Sequence, residues 1–246
     1  MHVLLEVCCG SAEDAAIAAA AGAHRLELNA ALSLGGLTPS IGTLLLAKKA
    51  NLPCIAMVRP REGGFCYSET EFETMLLDTE SLLLAGADGI AFGILHADGP
   101  VDAARCRQMI ELIGTKEAVF HRAFDVTPDW RAALDTLCAL GIRRVLTSGQ
   151  KPDAIEGAAA IKEMIAYAAD RIEVLPGAGI RPHNVRALLE ETGCTQVHAS
   201  LRTAREDASC SQNVAIHFSG GVAASERMVS ITDARQVREL LSIING

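Results

Sequence analysis

Gly86-Ala87-Asp88-Gly89-Ile90 is the stretch whose reading decides the fold, because three others repeat its form. They are Gly22-Ala23-His24-Arg25-Leu26, Gly141-Ile142-Arg143-Arg144-Val145 and Gly193-Cys194-Thr195-Gln196-Val197. In each, a glycine ends a helical pattern and a short connection leads into a β-rich run. Glycine suits that position because the left-handed backbone that closes a helix carries no side-chain penalty there. The four stretches precede the second, fourth, sixth and eighth of the strands read from the sequence, dividing the chain into equivalent βαβα quarters.

The expected strands are Val3–Val7, Arg25–Leu28, Cys54–Val58, Gly89–Phe92, Ala118–Phe120, Arg144–Thr147, Arg171–Leu175 and Gln196–Ala199. Helical patterns include Ser11–Ala21, Ser68–Ala85, Asp102–Ile113, Asp129–Ala139 and Ala154–Ala168, and Ile231–Ile244 closes the chain. Strands alternating with helices of this length imply parallel pairing through right-handed crossovers. The fourfold rhythm favours closure into an α/β fold of the (β/α)8 (TIM) barrel type. An open doubly wound sheet is the structural alternative, since the same local signals serve both. No linker or composition shift divides the 246 residues, so one domain over 1–246 is expected.

Half of the residues are hydrophobic but only 4% are aromatic, which suits helices packed on a barrel of aliphatic strands. The net charge of −8 argues against a nucleic-acid or anionic-membrane partner, both of which need a basic footprint. The N-terminus has no signal-peptide pattern, and no run is long and apolar enough to span a bilayer. A cytoplasmic, reducing setting is therefore expected, with the eight cysteines mostly buried thiols; their spacing is irregular and no CxxC pair occurs.

Residues at strand ends and in the following loops form the active face of such a barrel. Polar groups gather there: Glu6 and Cys8, Glu27 and Asn29, Arg59-Pro60-Arg61, His121-Arg122-Ala123-Phe124-Asp125, Thr147-Ser148-Gly149, and His198-Ala199-Ser200. With a side-chain period of two, Glu6, Glu27, Arg59 and His198 can all face the axis. A buried ion-pair cluster is the structural reading. The convergence of carboxylates, arginines and histidines favours a functional site, because burying them for stability alone is costly. Gly177 and Gly179, with Asn184 in the next helix, form a turn where backbone N–H groups can meet an anion. A simple tight turn explains the same residues. Arg202 and Arg205 can add charge nearby or be solvated.

Gly35–Ser40 offers Thr38 or Ser40 as a helix cap, and Ser68 with Glu71 has capping-box spacing. Phe65 or Tyr67 can cover the pocket or simply pack under the loop. Cys8 and Cys9 are the candidate metal ligands, although adjacent side chains in extended chain point apart and a turn would be needed to bring both to one ion. No His/Cys set has zinc spacing, and Ser148 lacks a nucleophile-elbow sequence.

This run of motifs resembles the CutC family, whose members are named for copper homeostasis. The matching residues are Glu6-Val7-Cys8, Arg25-Leu26-Glu27-Leu28, Gly35–Ser40, Arg59-Pro60-Arg61 with Phe65, Tyr67 and Ser68, and Phe120–Asp125. They continue through Leu146–Gly149, Pro176-Gly177, Gly179-Ile180, Asn184, His198 and Ser200. The resemblance implies a cytoplasmic TIM barrel, a homo-oligomer such as a dimer or tetramer, and Cu(I) as the cofactor; no organic cofactor is implied. It also implies two copper thiols, one at Cys8 and one at the position held here by Asn29. Cys9 stands where the family more often has valine, Gly10 where aspartate is usual, and Ala178 where a third glycine is common.

Three functions follow as expectations. The first is Cu(I) binding in copper homeostasis. The second is a lyase or isomerase acting on a small anionic or phosphorylated metabolite. In that reading Arg59, Arg61 and the Gly177–Gly179 turn hold the anion, while His121 or a carboxylate, Glu6 or Glu27, moves protons. Arg122 and Asp125 orient His121, and Ser148, Asn184 and Ser200 are further ligand-binding candidates. The third is a non-catalytic oligomeric sensor or scaffold. Glu206–Ser230 is long for a loop and reads as a lid or a wandering connection.

Overall fold

The computed structural model describes residues 3–213, 215–216 and 227–246. Eight parallel strands line up in it: β1 (Leu4–Cys9), β2 (Arg25–Leu28), β3 (Cys54–Met57), β4 (Gly89–Phe92), β5 (Glu117–Phe120), β6 (Arg144–Thr147), β7 (Glu173–Pro176) and β8 (Gln196–Ala199). Their order, β7-β6-β5-β4-β3-β2-β1-β8, brings the last strand beside the first in a TIM barrel. β7 and β8 share no backbone ladder. Side chains bridge that seam instead: Arg144 Nε donates to Glu173 Oε2 at 3.0 Å and to Gln196 Oε1 at 3.1 Å.

The strand connections carry α1 (Ala12–Ala20), α2 (Ile41–Ala47), α3 (Glu69–Leu84), α4 (Ala103–Ile113), α5 (Trp130–Leu140), α6 (Ala158–Ala168) and α7 (Pro182–Thr192). The terminal α8 (Ala234–Asn245) packs against α7 and α1. Six of the eight starts carry a side-chain cap. Ser68 Oγ accepts from the Glu71 N–H at 3.2 Å, and Glu71 Oε2 accepts from the Ser68 N–H at 2.8 Å. Of the two candidates before α2, Ser40 is the cap, while the Thr38 hydroxyl accepts from the backbone N–H of Arg59. No described helix is long and apolar enough to cross a membrane.

Alternation along the strands sorts the side chains. Leu5, Val7 and Cys9 lie in the large apolar layer between barrel and helices, as do Leu26 and Leu28. Glu6, Cys8, Arg25 and Glu27 are their in-between neighbours and face the axis. Barrel interiors are usually filled by layers of branched aliphatic residues. Here the inner apolar cluster among the described residues consists of Ile55, Met57, Ala91 and Val119. Below it, at the amino ends of the strands, sits a polar plug. Arg25 Nη2 donates to Gln196 Oε1 at 2.9 Å, and Arg144 Nη1 donates to Glu117 Oε2 at 2.9 Å.

Two expectations need correction. β1 runs on to Cys9 rather than ending at Val7, so no turn brings Cys8 and Cys9 to one side. Ile231 and Thr232 are not helical; they end a strand. That strand is β10 (Met228–Thr232), which pairs antiparallel with β9 (Arg202–Glu206). The segment Glu206–Ser230 is therefore strand at both ends, and residues 214 and 217–226 within it lie outside the described residues. The hairpin is fastened to α1: the buried Asp14 accepts from the Thr232 N–H, from Gly10 N at 2.9 Å and from Arg202 Nη1 at 3.0 Å. Arg202 and Arg205 are both engaged, Arg205 with Glu13.

Candidate functional site at the barrel mouth

β1 and β8 are neighbours, which puts Glu6 in register with His198 although the two are 192 residues apart. His198 Nδ1 lies 2.8 Å from Glu6 Oε1, and Arg25 Nε donates to the other carboxylate oxygen. Burial opposes the charged form of Glu6, but Arg25 and then His198 and Arg144 hold its carboxyl well below the usual carboxylate range. An ionised Glu6 fixes Nδ1 of His198 as a donor and turns Nε2 toward the mouth.

Nε2 faces Glu27 Oε2 at 3.8 Å. One donor atom each from Cys8, Glu27 and His198 lie within 4.8 Å of one another. Asn29 completes the group, its Nδ2 donating to Glu27 Oε2 at 2.9 Å and lying 3.5 Å from Cys8 Sγ. Burial raises the Glu27 carboxyl, and the Glu6 charge adds to the shift against the pull of His198. Burial also pushes the Cys8 thiol up to about 11, opposed by His198. For His198 burial disfavours the cation, yet Glu27, Cys8 and Glu6 push its pKa well above the ordinary histidine value. The arrangement is a compact donor set of thiol, carboxyl and imidazole, with a carboxylate behind the imidazole.

This group borders a cavity of about 260 Å³ whose other walls include Met57, Arg59, Phe65, His121 and Arg122. His121 follows β5 directly, and its Nδ1 accepts from the Ala123 N–H at 3.1 Å. Burial, with the Arg59 charge, lowers its pKa to about 3. The ring is therefore neutral, with its proton assigned to Nε2. A Cβ on Gly93 would lie 2.5 Å from this ring, so only glycine leaves room for it. Phe65 packs against the same ring, with ring centroids 5.1 Å apart.

Arg59 is buried beneath the mouth loops and ties two of them together. Nη1 donates to the carbonyls of Leu34 and Gly36 at 3.0 Å, and Nη2 to that of Gly63 at 2.8 Å. Arg61 points elsewhere, to Glu71 and to the carbonyls of Gly64 and Cys66, and does not reach the cavity. Arg122 lines the cavity edge on a pedestal: Nε donates to Asp125 Oδ2 at 2.8 Å and Nη2 to Ser148 Oγ at 2.7 Å. Asp125 also accepts from the N–H groups of Ser148 and Gln150. Asp125 and Ser148 thus hold Arg122 and the loop after β6 rather than His121.

A second cavity of about 170 Å³ adjoins the first and is bordered by Gly179, Arg181 and Ser200, sharing Cys8, Arg122 and His198. Asn184 stands outside it. Its Oδ1 accepts from Arg181 N at 2.8 Å and its Nδ2 donates to Gly179 O at 2.9 Å, fastening the start of α7. Gly177 serves the barrel seam, where an added Cβ would lie 2.6 Å from Leu146 and 3.3 Å from His198.

The structure brings Glu27, Cys8, His198, Arg59, His121 and Arg122 together, with Glu6 just behind. It does not bring Cys9: that thiol lies in the outer apolar layer, where burial raises its pKa well above the usual value. The adjacent-cysteine pair is corrected accordingly, since uninterrupted extended backbone sends the two thiols to opposite faces. Arg25 behind Glu6 was not among the expected site residues, and Asn29, expected at the mouth only as the position of a missing thiol, bonds both Glu27 and Cys8. Their even spacing from Glu27 was the available signal.

A model described as the CutC family matches residues 3–203. The "family protein CutC" of Treponema denticola is 45% identical over 241 residues, covering 98% of each chain. The human "Copper homeostasis protein cutC homolog" is 42% identical over 98% of this chain and 88% of its own. Among solved structures, the putative copper homeostasis protein CutC of Streptococcus agalactiae superposes with a TM-score of 0.77 at 32% identity. That match covers 80% of this chain and 98% of the other.

Proposed function

This chain belongs to the CutC family, and we propose that it serves copper homeostasis by binding one Cu(I) ion through Cys8 and His198, with Glu27 as a third, weaker ligand. The observation that carries the reading is the convergence of these three donor atoms within 4.8 Å. Thiolate and imidazole both suit copper, and thiolate selects the reduced ion. The carboxylate–histidine arrangement of Glu6 and His198 is the support that metal-binding histidines generally have. Relatives that carry the copper homeostasis name point the same way.

The fit has a cost. Cys8 is a protonated thiol at neutral pH and His198 holds its proton, so loading must displace protons. A single thiolate also makes a weaker Cu(I) site than a pair. Copper is therefore cargo held for transfer rather than a permanent structural ion.

Anaerobic competition with a chromogenic Cu(I) chelator tests this reading. Wild-type protein is expected to take up one equivalent, Cys8→Ser to lose it, and Cys9→Ser to keep it. Uptake that survives Cys8→Ser sinks the proposal.

A further inference from the structure

Copper held at Cys8 as cargo must come from a carrier and leave to one, and the surroundings of Cys8 limit what that carrier can be. Cys8 and His198 border both cavities at the mouth, the larger one and the neighbouring one of about 170 Å³. Neither side chain is sealed off: Cys8 is 9% exposed, and the His198 side chain 10%. That remaining surface opens onto these two spaces, within reach of a molecule lying in either.

The two spaces differ in charge. The larger is bordered by the Glu27 carboxyl together with Met57, Phe65 and Leu146. The smaller has no acidic residue on its walls among the described residues; its charged neighbours besides His198 are Arg122 and Arg181. Arg122 is engaged by Asp125, yet its side chain stays 41% exposed and its Nη1 donates to no described group. Arg181 donates through Nη1 to the Ile180 carbonyl at 2.9 Å and has no acidic partner among the described residues. The half-buried Ser200 borders the same space, and its hydroxyl has no hydrogen-bond partner among them. An unpaired guanidinium and an uncommitted hydroxyl beside an open thiol suit a small molecule with an anionic end. Arginine recognises a carboxylate there through directional, charge-assisted hydrogen bonds.

The other end of that molecule follows from the metal. Cys8 is the sole cysteine bordering either cavity among the described residues, and a soft ion such as Cu(I) gains from a second sulfur. We propose that the smaller cavity seats a low-molecular-weight thiol bearing a carboxylate, which delivers Cu(I) and remains as its second sulfur ligand. The proposal rests on copper binding at Cys8 and His198. The carboxylate lies against Arg181 and the Ser200 hydroxyl, with Arg122 beside it, and the sulfur reaches the ion at Cys8. The transfer involves no redox change. A carrier holding Cu(I) between two thiolates gives up one Cu–S bond, and Cys8 forms another. The Cys8 proton leaves on the released thiol, and the His198 proton passes to solvent when the imidazole joins the ion.

Anaerobic titration of the Cu(I)-loaded protein with 3-mercaptopropionate tests this, with 2-mercaptoethanol and propionate as the other arms. Native mass spectrometry is expected to show one copper and one 3-mercaptopropionate per chain. X-ray absorption at the copper edge is expected to go from one sulfur to two. 2-Mercaptoethanol has the sulfur without the charge and is expected to need about tenfold more for half-saturation. Propionate lacks the sulfur and is expected to leave the copper spectrum unchanged. Arg181→Gln is expected to bring the two thiols to within about threefold of each other, and Ser200→Ala to narrow the gap by less. Copper that binds the wild type but keeps one sulfur at saturating 3-mercaptopropionate overturns the proposal and leaves copper binding standing. So does copper stripped from the protein with no ternary species. Equal half-saturation by the two thiols overturns the carboxylate seat, and a gap that survives both substitutions together overturns its place in the smaller cavity. A wild-type protein that takes up no copper overturns both this proposal and the copper function.

Discussion

His198 Nδ1 stands 2.8 Å from Glu6 Oε1, and this contact between the eighth strand and the first sets the chemistry of the mouth. It holds the imidazole with Nε2 turned toward Cys8 and Glu27. It also joins the upper site to the polar plug, because Arg25 binds the same carboxylate. Glu6 does not border the cavity, so it acts through His198 and is a positioning residue.

Replacing Glu6 with glutamine should therefore lower copper affinity without removing a ligand. Loss of a supporting carboxylate behind a metal-binding histidine typically costs about 10–100-fold in affinity. Chelator competition on Glu6→Gln measures it, with thermal unfolding recording the accompanying loss of the Arg25 pair. An unchanged affinity in a folded variant would falsify the positioning role.

Asn29→Cys should tighten Cu(I) binding. Asn29 Nδ2 lies 3.5 Å from Cys8 Sγ, so a thiol at this position adds a second soft ligand beside the first. An increase of about tenfold or more is expected, since one extra ligand need supply only ~1.4 kcal/mol. X-ray absorption at the copper edge should show a second sulfur; a spectrum still showing one sulfur refutes the expectation.

The folded protein should lose stability below neutral pH through His121. Its pKa falls from the ordinary 6.5 to about 3 on folding, so between those values the unfolded chain binds a proton that the folded one refuses. Unfolding free energy then rises with pH across this window, by about 1.4 kcal/mol per unit. Between pH 6.5 and pH 5 the contribution is about 2 kcal/mol. Urea titrations should show His121→Asn to be less acid-sensitive by that amount. Equal pH dependence in the two proteins contradicts the assignment of a neutral buried ring.

Arg144→Met should destabilise the barrel and affect the mouth less, since Arg144 is the last of the groups acting on Glu6. Arg144 is 3% exposed and binds Glu117, Glu173 and Gln196 across three strands, including the seam that has no ladder. Both carboxylates reach water, so the cost is set at about 2 kcal/mol, below that of stranding a fully buried charge. Denaturant midpoints check the loss. Copper uptake reduced as much as by Cys8→Ser would mean that the plug and the mouth are not separable.

Much of this molecule is legible in its sequence, for local reasons. The repeated glycine stops mark where strands begin, and β2, β4, β6 and β8 span the residues expected of them. Ser68 and Glu71 announce their capping box by spacing alone. The period of two assigns Glu6, Cys8 and Glu27 to one face. It also foretells that Cys9 turns away once the strand continues through it.

Tertiary structure alone decided which of these groups meet. Arg59 and Arg61 are two residues apart, yet one borders the cavity and ties two loops while the other binds Glu71, because the loops around them fold differently. The β9–β10 hairpin pairs residues more than twenty positions apart with mostly exposed strands, leaving no apolar alternation to read. Periodicity states which way a side chain points but never its partner. The partner is set by barrel closure, which places His198 against Glu6 across nearly the whole length of the chain.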